Sequence, residues 1–422
     1  TRFGFEFTPT DVRFARTIAG FATGWKYKPI FDEEAAKVAP PPDDKGVPPG
    51  ELTIAELLRG KGYHTIHLGK WHLGGAEGMR PEHQGFDESL GFIIGAQMFL
   101  PEDDPRSVNS KQEFDSIDKY LWANLPFSVQ YNGGPRFHPD RYMTDYLTGQ
   151  AISAIRANRN QPFFMYLAYN APHTPLQALK EDYDALSHIG DHRLRVYAAM
   201  IRALDRGVGR VMDELKVLGL DENTLVIFTS DNGGAHYIGL PEINHPYRGW
   251  KATFFEGGTK VPFLMRWPAR IPAGVKLDGA VSHFDIFATA GAAAVTGVPA
   301  DREVDGVDLM PFIRGDAAGQ PHNALFWRSG GYRAVISDGW KLQTVAQTNA
   351  AMLFNLSSDP TERHDVSAVE TEKLAKLKAM LSGHDSVSIA PAWPALVHSP
   401  IAIDRPLGTR PVEGETYIYW SN

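Results

Sequence analysis

Short apolar runs bounded by turn formers recur along the chain, and each reads as a buried strand. Residues 63–68 (YHTIHL) lead into GKWHLGG, residues 162–169 (PFFMYLAY) into NAPHTP, and residues 224–229 (TLVIFT) into SDNGG. A fourth run, VPFLMRWP from Val261, follows FFEGGTK. Helical spacing fills the intervals. Residues 53–60 read as a helix closed by Gly62, and residues 140–156 carry Tyr142, Tyr146, Ile152 and Ile155. Residues 193–218 set Val196, Met200, Ala203, Leu204, Val208, Val211 and Leu215 on one stripe that stops before Gly219.

Strands alternating with helices predict an α/β fold with a mostly parallel sheet covered by helices on both faces. In such sheets ligands bind beyond the carboxyl ends of the strands, so polar motifs far apart in sequence are expected to converge there. The texture changes near residue 325. LFWRSGGYRAVISDGWKLQTV reads as short antiparallel strands with a turn at Asp338-Gly339, and residues 371–381 as one amphipathic helix; the stretch after Ser388 is proline-rich and aperiodic. This predicts a main α/β domain over residues 1–324 and a small α+β subdomain with a wrapping tail over residues 325–422. Residues 39–50 and 101–110 read as loops, and no internal repeat is evident.

Composition narrows the function classes. The 422 residues are 43% hydrophobic with a formal charge of −8, and lysine and arginine are spread along the chain, which argues against a nucleic-acid partner. No apolar run approaches the length of a membrane span. The absence of cysteine excludes disulfides, thiolate metal sites and a cysteine nucleophile within these residues.

The chemistry lies just after the strands. In HLGKWHLGG an ammonium, Lys70, stands with His67 and His72 between glycine pivots, a grouping that is unfavourable unless an anion or a metal-bound group joins it. Asp231-Asn232-Gly233-Gly234 suits a plain turn, and equally offers a carboxylate and an amide oxygen to a hard cation such as Ca²⁺ or Mg²⁺. The acidic pairs Asp43-Asp44 and Asp103-Asp104 follow no strand and read as solvated. His173, fenced by prolines in NAPHTP, is placed to donate to an anion or protonate a leaving group, and His236 is a second such candidate. His138, His188, His192 and His364 lie in polar surroundings and read as surface groups. Lys251 in YRGWKATFFEGGTKVP gains meaning in company with Lys70. Together these residues describe a pocket for a divalent cation and a small tetrahedral oxyanion, phosphate or sulfate.

At this point the sequence resembles the sulfatases of the alkaline-phosphatase superfamily, specifically the arylsulfatase and galactosamine-sulfatase type. GYHTIHLGKWHLG matches the second sulfatase signature, and PEHQGFDESLGF, NAPHTP, SDNGG, YRGWKATFFEGGTKVP, LFNLSSDPTERHDVS and the closing YIYWSN follow in the family's order over essentially the whole chain. The resemblance implies an alkaline-phosphatase-like fold with calcium held by Asp231 and Asn232, Mg²⁺ being the alternative. It implies that Lys70 and Lys251 hold sulfate oxygens, Lys251 near the bridging one. His173 would contact the sulfate and assist the leaving group, and His72 would act as base on the catalytic hydroxyl. His67, on the strand itself, would be structural. The family's nucleophile is a formylglycine hydrate made from a C/S-x-P-x-R signature.

No such signature, and no strand followed by paired aspartates, occurs near Thr1. The expectation is therefore that a segment carrying them belongs ahead of Thr1, with a separate amino-terminal peptide as one possible partner, and that residues 1–422 alone have no turnover and weak metal affinity. The expected substrate is a sulfated carbohydrate rather than an aryl sulfate, and the expected location is extracytoplasmic. A phosphate or phosphonate ester hydrolase, and a non-catalytic relative that binds sulfated glycans, are the alternatives.

Overall fold

The computed structural model describes residues 30–32, 35, 37, 46–391 and 395–421. Its central sheet has four strands in the order Gln130–Tyr131, Glu88–Phe92, His64–Lys70, Phe163–Ala168. The last three run parallel, with Ile66 opposite Glu88 on one side and Met165 on the other, and the short edge strand is antiparallel.

Alternation along His64–Lys70 decides what covers each face. Ile66 and Leu68 point into a large core with Met143, Leu147 and Ala151 of the helix Met143–Asn158 and Val196, Met200 and Ala203 of the helix His192–Val217. Thr65 and His67 face the other side, where Trp71 and Phe86 pack with Ala55 of the helix Ile54–Arg59. Helices therefore lie on both faces. Their ends follow from capping chemistry. Thr53 and Glu56 form a reciprocal capping box, and Asp191 accepts a hydrogen bond from the Leu194 amide at 2.8 Å.

Several expectations need correction. The run 224–229 pairs antiparallel with Phe263–Arg266, Ile227 opposite Met265, rather than adding a parallel strand. A parallel pair needs a crossover of a dozen or more residues, usually a helix; the 33 residues between them hold only short turns of helix, His236–Ile238 and Glu256–Thr259. Within the expected loop 101–110, Ser107–Ser110 forms a strand antiparallel to Leu176–Leu179. Asp104 is not simply solvated, since Arg106 reaches it with both Nε at 3.0 Å and Nη2 at 2.7 Å. Asp43-Asp44 and residues 39–45 lie outside the described residues.

From Leu325 the chain forms a four-stranded antiparallel meander ending at Asn355. Its central hairpin turns at Asp338 and Gly339, whose φ values of 53° and 72° are those of a tight hairpin turn. The helix Thr371–Val387, longer than expected, lays Leu377 and Leu381 on Val335, Leu342 and Leu353. The tail does more than wrap: Val397–Ala402 and Tyr417–Ser421 pair antiparallel and join Ile30–Phe31 in a three-stranded sheet. A second core runs between the two parts of the chain, since Trp250, Phe254 and Phe255 pack with Tyr332, Phe354, Ile401 and Ile418. The segment that carries Lys251 is thus seated directly on the carboxyl-terminal sheets. Among the described residues no helix is long and apolar enough to cross a membrane.

Candidate active site

Lys70 is the last residue of His64–Lys70, opposite Phe92. The backbone ladder continues two residues further, with the Trp71 amide donating to Phe92 and the His72 amide to Ile93, both at 2.9 Å. Gly69 makes this possible. Its φ is 110°, and a Cβ there would stand 2.1 Å from the Ala168 carbonyl oxygen, so a side chain would force the two parallel strands apart. His72 itself has φ 52°, a turn that carries its ring off the strand line and beneath the Gly95 backbone. The Trp71 indole donates to the Met79 carbonyl at 2.9 Å and fixes the residue between Lys70 and His72. His67 is structural, as its place on the strand implies: it is fully buried, bonds Ser89 Oγ and the Lys70 carbonyl oxygen, and lies edge-on to Trp71.

His173 follows the Phe163–Ala168 strand. Its amide donates to the Asn170 carbonyl at 2.8 Å, and its Nδ1 donates to the Thr174 carbonyl at 2.7 Å. A carbonyl can only accept, so the neutral ring carries its proton on Nδ1 and leaves Nε2 as a lone-pair donor.

Asp231 and Asn232 follow Val226–Thr229. The Asp231 carboxylate accepts from the Asn232 amide at 2.9 Å, Ser230 Oγ donates to the Asn232 carbonyl, and the Asn232 side-chain amide donates to the Gly233 carbonyl. Asn244 ties this turn to the next segment: it accepts from the Gly234 amide and donates to the Gly234 and Gly249 carbonyls. The Lys251 amide then donates to the Gly234 carbonyl at 3.0 Å. Lys251 is thereby bound to the turn that carries Asp231.

The electrostatics show which groups share one field. Burial lowers the His72 pKa to about 4, with Lys70 and Lys251 pushing the same way and Asp231 opposing. Burial, then Lys251 and Lys70, hold His173 well below the ordinary imidazole value, with His72 adding to them. Lys70, His72, His173, Asp231 and Lys251 therefore converge from four segments at the strand ends. His236 stands apart. Burial lowers it to about 4, the charge acting on it is Arg405 of the tail, and its ring packs edge-on to Tyr237. One neighbour was not legible in advance: His283, within SHFD, meets Thr229 Oγ1 at 3.0 Å and feels Asp231. Only its spacing before the helix Asp285–Ala293 marks it in the sequence.

Asp231 and Asn232 offer oxygen donors of the kind a hard cation takes, yet Ca²⁺ takes six to eight. Among the described residues no group of three or more histidine, aspartate or glutamate side chains completes a metal site. In kind the donors fit; in number they do not. His138, His188, His192 and His364 are exposed, as expected.

Two ammoniums and two uncharged imidazoles gathered at the carboxyl ends of α/β strands are chemically suited to a small tetrahedral oxyanion. The chain belongs to the sulfatase family, whose model matches residues 21–296. It is 30% identical to human N-acetylgalactosamine-6-sulfatase over 390 residues, covering 83% of this chain and 71% of that protein. It is 32% identical to the uncharacterized sulfatase YdeN of Escherichia coli K12 over 308 residues, 67% of this chain and 50% of that one. The chain thus spans between half and about seven tenths of the length of these two relatives. The crystal structure of Ps i-CgsB in complex with k-i-k-neocarrahexaose superimposes with a TM-score of 0.72 at 33% identity, over 82% of this chain and 77% of that one.

Proposed function

We propose that the protein hydrolyses a sulfate ester on a sulfated carbohydrate. The observation that carries this reading is the convergence of Lys70, Lys251, His72 and His173, with Asp231 acting on His72. Lysine donates to tetrahedral oxygens as a compact point charge. An incoming sulfate offsets the two ammoniums that add to burial in keeping the imidazoles neutral, so its arrival raises their proton affinity. His173 can then take up a proton on Nε2 and give it to the leaving oxygen, while Lys251 stabilises the charge that develops there. His72, uncharged until then, is the base that takes the proton of the attacking hydroxyl.

The attacking hydroxyl is proposed to be that of a formylglycine hydrate. None of the 422 residues is a cysteine and no S-x-P-x-R run occurs, so this group is not among the residues numbered here. Asp231 and Asn232 would supply two oxygens to a Ca²⁺ ion, or to Mg²⁺, whose charge would polarise the sulfate oxygens. The carbohydrate preference is supported by the names of the relatives, one a sulfatase of N-acetylgalactosamine and one crystallised with k-i-k-neocarrahexaose.

The test, made on protein in which mass analysis finds the formylglycine, is sulfate release, followed by ion chromatography, from a panel of sulfated oligosaccharides, with matched aryl sulfate and aryl phosphate esters alongside. Turnover should favour sulfated sugar over aryl sulfate, and aryl sulfate over aryl phosphate. Faster release of phosphate than of sulfate would assign the site to phosphate esters instead.

A further inference from the structure

The carboxyl-terminal meander delivers a buried charge to the back of the site. Lys341, on the strand Trp340–Val345, is fully buried, and its Nζ lies 3.0 Å from Glu256 Oε1 and 3.1 Å from Glu362 Oε1. Glu256 is itself buried and Glu362 wholly so. Burial by itself would lower the lysine's proton affinity, but the two carboxylates outweigh it and keep the ammonium charged. Glu362 also accepts from the Glu256 amide and from Gln343 Nε2, and its carbonyl accepts from Arg248. A buried, hydrogen-bonded charge network of this kind is weak evidence of net stability, and in some proteins its role is to fix one arrangement.

What it fixes is the turn behind the active site. Glu256 opens Glu256–Thr259, and within that turn the Gly258 carbonyl accepts from the Gly233 amide at 3.0 Å while the Gly257 amide donates to the Arg248 carbonyl at 2.8 Å. Gly233 follows Asn232 directly, and the Gly234 carbonyl next to it holds the Lys251 amide. The same turn therefore backs both Asp231-Asn232 and Lys251. From the other side Tyr332 Oη accepts from the Phe254 amide at 2.7 Å, and the Trp250 indole donates to the Ala402 carbonyl at 3.0 Å. None of the charges of Lys341, Glu256 and Glu362 is among those that act on His72 or His173.

We propose that Lys341, through its buried bridge to Glu256 and Glu362, is a positioning residue that sets Lys251 and the Asp231-Asn232 turn for the reaction, so that the carboxyl-terminal subdomain is a working part of the active site. This rests on the sulfate-ester reading for its kinetic consequence, though not for its structural one.

The test uses Lys341→Met, and the double variant Lys341→Met/Glu362→Gln, which removes the unpaired carboxylate and leaves Glu256 with Lys260 at 3.6 Å. Amide hydrogen exchange is read at Gly233 and Lys251, with Ile66 and Leu68 of the central sheet as internal reference. The Gly233 and Lys251 amides should exchange at least about tenfold faster in whichever variant folds, with the reference amides unchanged. For the sulfate ester, kcat should fall by about tenfold with KM changed less than about twofold, since Lys251 is proposed to act on the departing oxygen. Unchanged exchange at both amides in a folded variant overturns the proposal. Accelerated exchange in a protein whose wild type releases no sulfate leaves the positioning role standing and removes the sulfate-ester reading.

Discussion

Acid should unfold this protein at a pH set by its buried histidines. Burial, acting first in each case, lowers His67, His72 and His236 from 6.5 to about 4. The unfolded chain takes up these protons near pH 6.5 and the folded chain only near pH 4, so between those values the unfolded state binds more protons. Stability is therefore full above pH 6.5, falls as the pH drops below it, and has lost the whole contribution once the pH is below about 4. At 1.36 kcal/mol per pKa unit each of the three costs about 2 kcal/mol at pH 5 and about 3 kcal/mol at pH 4, approaching about 3.4 kcal/mol below that. Together that is about 6 kcal/mol at pH 5, comparable with a typical total stability of about 5–15 kcal/mol. His173, held well below the ordinary value, adds to the loss in the same direction. Guanidinium unfolding between pH 7.5 and 4.5, with potentiometric proton uptake on unfolding at about pH 5.3, measures both the loss and the proton count. Uptake of about three protons or more is expected, reduced by about one in His67→Gln. An unfolding midpoint that stays constant from pH 7 to pH 5 would show that these rings are not held neutral, and the electrostatic picture of the site would go with it.

Other perturbations have similarly defined outcomes. Gly69→Ala places a methyl 2.1 Å from the Ala168 carbonyl oxygen at a φ of 110°, and should cost about 3 kcal/mol or more in denaturant unfolding, or prevent folding. Lys251→Ala should lower kcat for the sulfate ester by about 10²–10³, the scale of one lost oxyanion donor. It should also raise the His72 and His173 pKa values, visible by NMR titration, because Lys251 is among the charges that depress both. Asp231→Ala should weaken Ca²⁺ binding measured by calorimetry by at least about tenfold, and Ca²⁺ affinity equal to wild type would remove Asp231 from the ligand set.

The parts of the fold governed by local pattern were legible and the parts governed by distant partners were not. The stripe of the helix His192–Val217 and its stop at Gly219 follow from spacing and capping, and Asp338-Gly339 announces its hairpin. The strand around Tyr63 reads clearly, but that it continues to Lys70 depends on pairing with Glu88–Phe92 across parallel registers that no local signal sets. Ser107–Ser110 is polar and owes its extended form to Leu176–Leu179. Strand direction is equally silent in the sequence: TLVIFT and VPFLMRWP look alike whether paired parallel or antiparallel, and only the short helices between them could have decided. For the site, position after a strand's carboxyl end was the useful signal, and it brought Lys70, His72, His173 and Asp231 together. His236 also follows a strand, yet a short helical turn carries it toward Arg405 instead. Lys341 and Glu362 were invisible because charged residues read as surface until a partner buries them.

The measurement that bears most directly on the account is calorimetric binding of inorganic sulfate at about pH 6, repeated in buffers of different ionisation enthalpy to count protons, on wild type and Lys251→Ala. The account predicts saturable sulfate binding with uptake of a proton by His173, weakened and with less uptake when Lys251 is gone. Sulfate binding that carries no proton, or that is indifferent to Lys251, would contradict the claim that these groups form one oxyanion site.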